Sequence, residues 1–199
     1  MILREAGIRG LFVTVLLISA SESLAEFYGE YRGDLKFSAS DLDQSINHLR
    51  VGYRFENNVY VDLGPRTDGT SLEVGYRYNF GDGWAVKGKW EGSDVGDLMH
   101  KLETELRYSS TRFDGSYIEY KNELKFINSE FDKRVDHLRI GYRFENDAYF
   151  EIGPRTDGVS GEVGYKYEFS DAWSLKGKWE ANETLGFQHK IEAEIRYRF

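Results

Sequence analysis

The chain has 199 residues, a formal net charge of -8, no cysteine and 30% charged residues, with a mean hydropathy of -0.58. A disulfide-stapled exported domain is excluded, and no run is long and apolar enough to span a bilayer as a helix. Aromatic residues still make up 16%, and 21 glycines stand against two prolines, a composition suited to long strands joined by tight turns.

The first apolar run, Leu11 to Ile18, follows Arg4 and Arg9 and precedes the small-residue stretch SASESLA. That is the pattern of a secretory signal, so residues 1–25 are expected to be removed after Ala25 and residues 26–199 to form the exported domain. From there the sequence is one unit used twice, at 26–110 and 115–199. Residues 48–108 recur at 137–197 with a constant offset of 89, and 36 of the 61 aligned positions are identical.

In the first unit, period-two alternation predicts strands near 26–37, 46–56, 58–66, 71–80, 84–91 and 99–108. The same six recur in the second unit, giving twelve. Glu56-Asn57-Asn58 and Gly81-Asp82-Gly83 have the chemistry of tight turns, whereas SASDLDQS, GPRTDGTS and GSDVGDL read as longer loops. Short turns alternating with longer loops, an even strand count and no helix predict an all-β, twelve-stranded antiparallel transmembrane barrel built from two six-stranded repeats.

Parity assigns the faces. With Phe199 outward, Tyr197, Ile195, Ala193 and Ile191 face lipid, while Arg198, Arg196, Glu194, Glu192 and Lys190 face inward. Leu49, Val51, Tyr53 and Phe55 likewise oppose His48, Arg50, Arg54 and Glu56. Outward aromatics collect at both strand ends: Phe55, Phe80, Trp84, Tyr108, Phe144, Phe169, Trp173 and Phe199 at one, Phe37, Trp90, Phe126 and Trp179 at the other. A soluble sandwich would gather large rings mid-strand. Two rings at the rims are the girdles of a membrane barrel.

The inward set holds 21 basic and 17 acidic residues, so the wall nets positive inside a chain that is acidic overall. Candidate pathway residues are Arg50, Arg54, Arg66, Arg77, Lys87, Lys89, Arg107, Arg139, Arg143, Arg155, Lys166, Lys176, Lys178 and Arg196. Among them Arg50, Arg54, Arg139 and Arg143 are expected to form one basic ladder, and Lys87, Lys89, Lys176 and Lys178 another. Twelve strands close at roughly 24 Å between opposite backbones, intermediate between filled and wide barrels. A confined basic passage favours anions. The competing reading of any one residue is cross-strand Arg–Glu pairing that only keeps the wall soluble and rigid.

Histidines 48, 100, 137 and 189 are two repeat-related pairs at strand ends, and a metal site would need their loops to converge. The acidic residues Asp41, Asp43, Asp94, Asp97, Glu130, Asp132 and Asp136 are read as solvated loop charge, with divalent cations shared with lipopolysaccharide as the alternative. The Pro-Arg-Thr-Asp-Gly segments at 65–69 and 154–158 are read as hairpin turns. No catalytic, metal or cofactor residue is assigned.

HLRVGYRFEN and HLRIGYRFEN, the small size, the twelve strands and the basic inner face resemble the oligogalacturonate-specific and sialic-acid-specific porin family. That resemblance implies a small monomeric bacterial outer-membrane barrel that passes acidic mono- or oligosaccharides along an arginine-rich wall. The terminal EIRYRF is similar to the C-terminal signal by which such proteins engage the barrel-assembly machinery, here through Phe199. Expected partners are therefore outer-membrane lipid, lipopolysaccharide and anionic sugars, not nucleic acid. The chain departs from the family in its internal duplication and its many inward acids. A phospholipase-like barrel enzyme would need a nucleophile, base and orienting group within reach of one another, and no serine motif stands out. An adhesive or structural barrel would carry long loops, and these are short.

Overall fold

The computed structural model describes residues 26–94, 97–183 and 187–199, so the expected signal segment lies outside the described residues. Among the described residues the chain is all strand and turn. The first unit contributes β1 (Glu26–Ser38), β2 (Asp41–Arg54), β3 (Val59–Arg66), β4 (Gly69–Gly81), β5 (Trp84–Ser93) and β6 (Met99–Ser109). The second contributes β7 (Ser116–Ile127), β8 (Glu130–Arg143), β9 (Tyr149–Arg155), β10 (Gly158–Glu168), β11 (Trp173–Glu183) and β12 (Phe187–Arg198).

Each strand pairs antiparallel with its neighbours, and β1 closes on β12 to complete the barrel. The closing register runs from Tyr28 opposite Arg198 to Ser38 opposite Gln188. Closure is the decisive step for a chain in lipid, where each backbone group left unpaired costs several kcal/mol. Six strands alone would leave two such edges, so the two repeats form halves of one ring.

The pleat separates the faces as parity requires. On β2, Leu49 and Val51 are 57% and 52% exposed on the outside, whereas His48 and Arg50 are 4% and 7% exposed within. Ile140, Ile152, Val163, Leu175, Ile191 and Ile195 continue the outer apolar band. Near the end that carries the termini, Phe27, Tyr53 and Phe55 stack edge to face, as do Tyr78 with Phe80, Tyr142 with Phe144, and Tyr197 with Phe199.

The loop reading is corrected. SASDLDQS is not a loop: β1 and β2 are joined by Ala39 and Ser40 alone, and β7 and β8 by Asn128 and Ser129. Ala39, Asn128 and Ser129 take up positive φ, which closes a two-residue turn and leaves the flanking polar residues free to extend the ladder. Asp41, Asp43, Glu130, Asp132 and Asp136 therefore lie on strands, not in loops. In the Pro-Arg-Thr-Asp-Gly segments only Thr67-Asp68 and Thr156-Asp157 form the turn. At the termini end Ser110 to Gly115 form a longer connection, whereas Asp82 and Gly83 alone join β4 to β5.

Candidate functional site: the lumenal wall

The barrel interior is a cavity of about 740 Å³ lined by side chains from all twelve strands. Its middle is organised as two ion-pair clusters related by the repeat, each taking one arginine from the other unit. In the first, Glu30 is the acceptor for Arg50 of β2 and for Arg196 of β12, whose Nε donates at 3.0 Å. Arg50 also lies 4.0 Å from Asp62 and 3.8 Å from Glu73. In the second, Glu119 accepts from Arg107 Nε at 2.8 Å and lies 3.7 Å from Arg139, which also bonds Glu151.

Four inward tyrosines complete these clusters. Tyr28 donates to Asp62, Tyr60 to Glu73 at 2.7 Å, Tyr117 to Glu151 at 2.8 Å and Tyr149 to Glu162 at 2.5 Å. Each ring lies over a glycine on the adjacent strand: a Cβ on Gly52 would sit 2.3 Å from the Tyr28 ring, and one on Gly141 2.3 Å from the Tyr117 ring. Gly75 and Gly164 leave the same space for Tyr60 and Tyr149. An arginine also lies over each ring, Arg196 over Tyr28 at 4.5 Å, Arg54 over Tyr60 at 6.0 Å, Arg107 over Tyr117 at 4.3 Å and Arg143 over Tyr149 at 5.2 Å.

The expected pathway residues divide into three groups. Arg50, Arg139, Arg107 and Arg196 line the lumen but are held by buried carboxylates. Lys89 and Lys178 also lie between carboxylates, Lys89 3.4 Å from Glu73 and 3.8 Å from Glu103, Lys178 3.4 Å from Glu162 and 3.6 Å from Glu192. Arg66 and Arg155 fold back on their own turns, donating through Nε to Asp68 and Asp157 at 2.9 Å, and Arg66 is not among the residues lining the cavity.

Arg54, Arg77, Lys87, Arg143, Lys166 and Lys176 line the cavity outside those clusters. Of these, Arg143 lies 3.7 Å from Asp147, Lys166 2.6 Å from Glu168, and Arg54 over the Tyr60 ring at 6.0 Å. Among the described residues Arg77, Lys87 and Lys176 have no carboxylate in ion-pair contact. The lysine ladder thus loses Lys89 and Lys178 to ion pairing and the arginine ladder Arg50, Arg139 and Arg143, the first two of these to carboxylates in register on neighbouring strands. The remaining positive charge gathers toward the termini end, where a cavity of about 540 Å³ is lined by Arg77, Arg107, Arg143 and Lys166 and by no acidic side chain.

The histidines do not converge. His48 and His137 are buried in the wall, Nε2 of each 2.7 Å from Ser71 and Ser160 Oγ, whereas His100 and His189 stack on Trp90 and Phe37 on the outer face. Arg139 Nε donates to His137 Nδ1 at 3.0 Å. Arginine can only donate, so Nε2 carries the ring hydrogen and Ser160 Oγ accepts it. That is the reverse of the wiring that activates a serine nucleophile.

The inward tyrosines were legible and missed. Parity already placed Tyr28, Tyr60, Tyr117 and Tyr149 among the charges, and the glycines at Gly52, Gly75, Gly141 and Gly164 marked the space for their rings.

A family model described as "Cyanophage outer membrane protein like beta barrel domain" matches residues 104–199. No curated protein matches the sequence. Among solved structures, the KdgM porin in complex with disordered oligogalacturonate superposes with a TM-score of 0.60 at 16% identity, over 86% of this chain and 99% of that one. The fold is that of an outer-membrane porin. The NanC porin agrees with the porin fold at a TM-score of 0.56 and 10% identity, over 86% of this chain and all 100% of its own. The translocator domain of autotransporter NalP from Neisseria meningitidis reaches 0.57 at 13% identity, over 98% and 96%. In this barrel the charged wall described above lines the interior cavity.

Proposed function

We propose that this porin barrel lets small anionic solutes, acidic mono- or oligosaccharides above all, diffuse across a bacterial outer membrane. The observation that carries the reading is the arrangement of charge along the lumen. The arginines of the middle belt are held by carboxylates; of the cations left without one, Arg77 lines the acid-free cavity at the termini end, Lys87 is its cross-strand neighbour and Lys176 lines the main lumen. A passing anion meets those charges in a narrow low-dielectric passage, where a small excess is amplified. The similarity to a porin described with oligogalacturonate supports an acidic sugar as the cargo. The outer apolar band would sit in lipid with lipopolysaccharide above it, a single closed ring needs no partner subunit, and Phe199 would be offered to the assembly machinery once residues 1–25 are removed.

Planar-bilayer recording under a salt gradient tests this reading. The expected reversal potential is anion-selective, and it should move toward zero in the variant carrying Arg77→Gln, Lys87→Gln and Lys176→Gln. Arg50→Gln also removes one cation, but it frees the carboxylates that held it, so the same shift would come with a less stable barrel. A cation-selective pore, or a correctly folded barrel with no conductance, would overturn the proposal.

A further inference from the structure

The two repeats differ most tellingly at the termini end of the lumen. In the second repeat, Lys166 Nζ lies 2.6 Å from Glu168, Arg198 Nη2 lies 3.4 Å from the same carboxylate, and Arg198 Nε lies 2.8 Å from Glu26. Two cations and two acids close into one neutral network. At the offset of 89 the counterparts of Lys166, Glu168 and Arg198 are Arg77, Asn79 and Ser109, and the position equivalent to Glu26 is Gly115. Both acids and one of the cations have been replaced by small neutral residues, and only the arginine remains.

The consequence is both steric and electrostatic. Where the second repeat fills its wall with a salt-bridge network, the first leaves the cavity of about 540 Å³ to which Arg77, Asn79 and Ser109 all contribute. Arg107, Arg143 and Lys166 also line it, but each is already engaged, with Glu119, Asp147 and Glu168. Arg77 therefore presents an unneutralised guanidinium, with the Asn79 amide and the Ser109 hydroxyl as neutral hydrogen-bonding groups beside it.

We propose that this one-sided cavity is a binding station for the anionic group of a sugar-sized solute, with Arg77 holding the charge and Asn79 and Ser109 meeting hydroxyls. The volume admits a solute of one or two sugar rings. Guanidinium forks match carboxylates in bidentate fashion, and neutral side chains can pair with either donors or acceptors on a sugar. The station rests on the porin reading and deepens it: the barrel binds as well as passes its cargo, at a single place. The internal duplication does not give it two.

The test exchanges the two repeats at one position. Asn79→Glu installs the second repeat's carboxylate beside Arg77, and Glu168→Asn removes it from Lys166. Equilibrium binding of digalacturonate to the purified full-length barrel in detergent is measured beside bilayer conductance, with maltose as the neutral control of equal size. Asn79→Glu should weaken digalacturonate binding roughly tenfold, the effect of one added like charge in contact with the bound anion, and leave maltose unchanged. Arg77→Gln should weaken binding comparably, while Lys166→Gln should weaken it much less. Glu168→Asn should create a second, weaker station.

Unchanged digalacturonate binding in Asn79→Glu, or equal losses in Arg77→Gln and Lys166→Gln, would overturn the station while leaving a conducting pore intact. Binding that responds as expected in a barrel that carries no current would instead sink the porin reading and keep the site. Heat-modifiable mobility of each variant confirms that the barrel has closed, and the two substitutions at Arg77 and Asn79 act independently should either fail to fold.

Discussion

Replacing Glu119 by glutamine removes a single charge from the most enclosed carboxylate of the second cluster. Its side chain is 1% exposed and it accepts from Arg107 through both Nε, at 2.8 Å, and Nη2. Glutamine keeps the shape and one acceptor oxygen, so two hydrogen bonds between opposite charges become at best bonds from the guanidinium to a neutral amide oxygen, and the nearest carboxylate left to Arg107 is Glu105 at 3.8 Å. Arg139 keeps Glu151. Breaking a fully buried pair from one side costs about 3–5 kcal/mol, and the remaining partners together with water in the lumen reduce this to about 2 kcal/mol. Glu30→Gln should behave alike, since Glu30 occupies the same place between Arg50 and Arg196. Glu123→Gln is the matched control: its side chain is 27% exposed and its contact with Lys101 is 3.8 Å, so the change should stay within about 0.5 kcal/mol.

Urea unfolding from lipid vesicles, followed by tryptophan fluorescence, reads these differences. Glu119→Gln and Glu30→Gln should also increase anion selectivity, because each removes a negative charge from the wall, so stability and selectivity move in opposite senses. Equal unfolding midpoints for Glu119→Gln and Glu123→Gln would refute the view that the central clusters are structural clamps.

The tyrosine-over-glycine contacts give a second expectation. Gly141→Ala places a methyl 2.3 Å from the Tyr117 ring and should lower stability by about 1–3 kcal/mol in the same unfolding assay, whereas Gly177→Ala, with no atom within 4 Å of the added methyl, should be silent. The His137–Ser160 pair gives a third: a phospholipase or esterase assay should register no activity that depends on Ser160, and hydrolysis abolished by Ser160→Ala would contradict the donor assignment drawn from Arg139.

Strand count, faces and duplication were legible in the sequence because they are local. A strand points successive side chains to opposite faces, so HLRVGYRF already states that Leu49, Val51, Tyr53 and Phe55 share a side and that Arg50 and Arg54 share the other. Closure followed too, since six strands in lipid cannot stand with open edges. The two-residue turns did not follow, because polar sequence such as SASDLDQS suits a loop or a strand beyond the membrane equally well, and the positive φ at Ala39 decided between them.

Which cations are free was decided only by the closed barrel. Parity gives a side chain its face but not its height, and the partners of Arg196 and Arg50 depend on registers across strands far apart in the chain: Glu30 meets Arg196 across 166 residues only because β1 closes on β12. Those registers drew Arg50 and Arg139 of the expected arginine ladder into two ion-paired clamps and left Arg77, Lys87 and Lys176 as the lumenal cations without a carboxylate in contact among the described residues. The sequence by itself determined a barrel of two like halves with charged side chains turned inward. Its tertiary structure decided what the exchange of Glu168 for Asn79 means, with Glu168 paired to Lys166 and Arg198 and Arg77 left without a carboxylate, because ion pairing is a property of register around the ring and not of alternation along a strand.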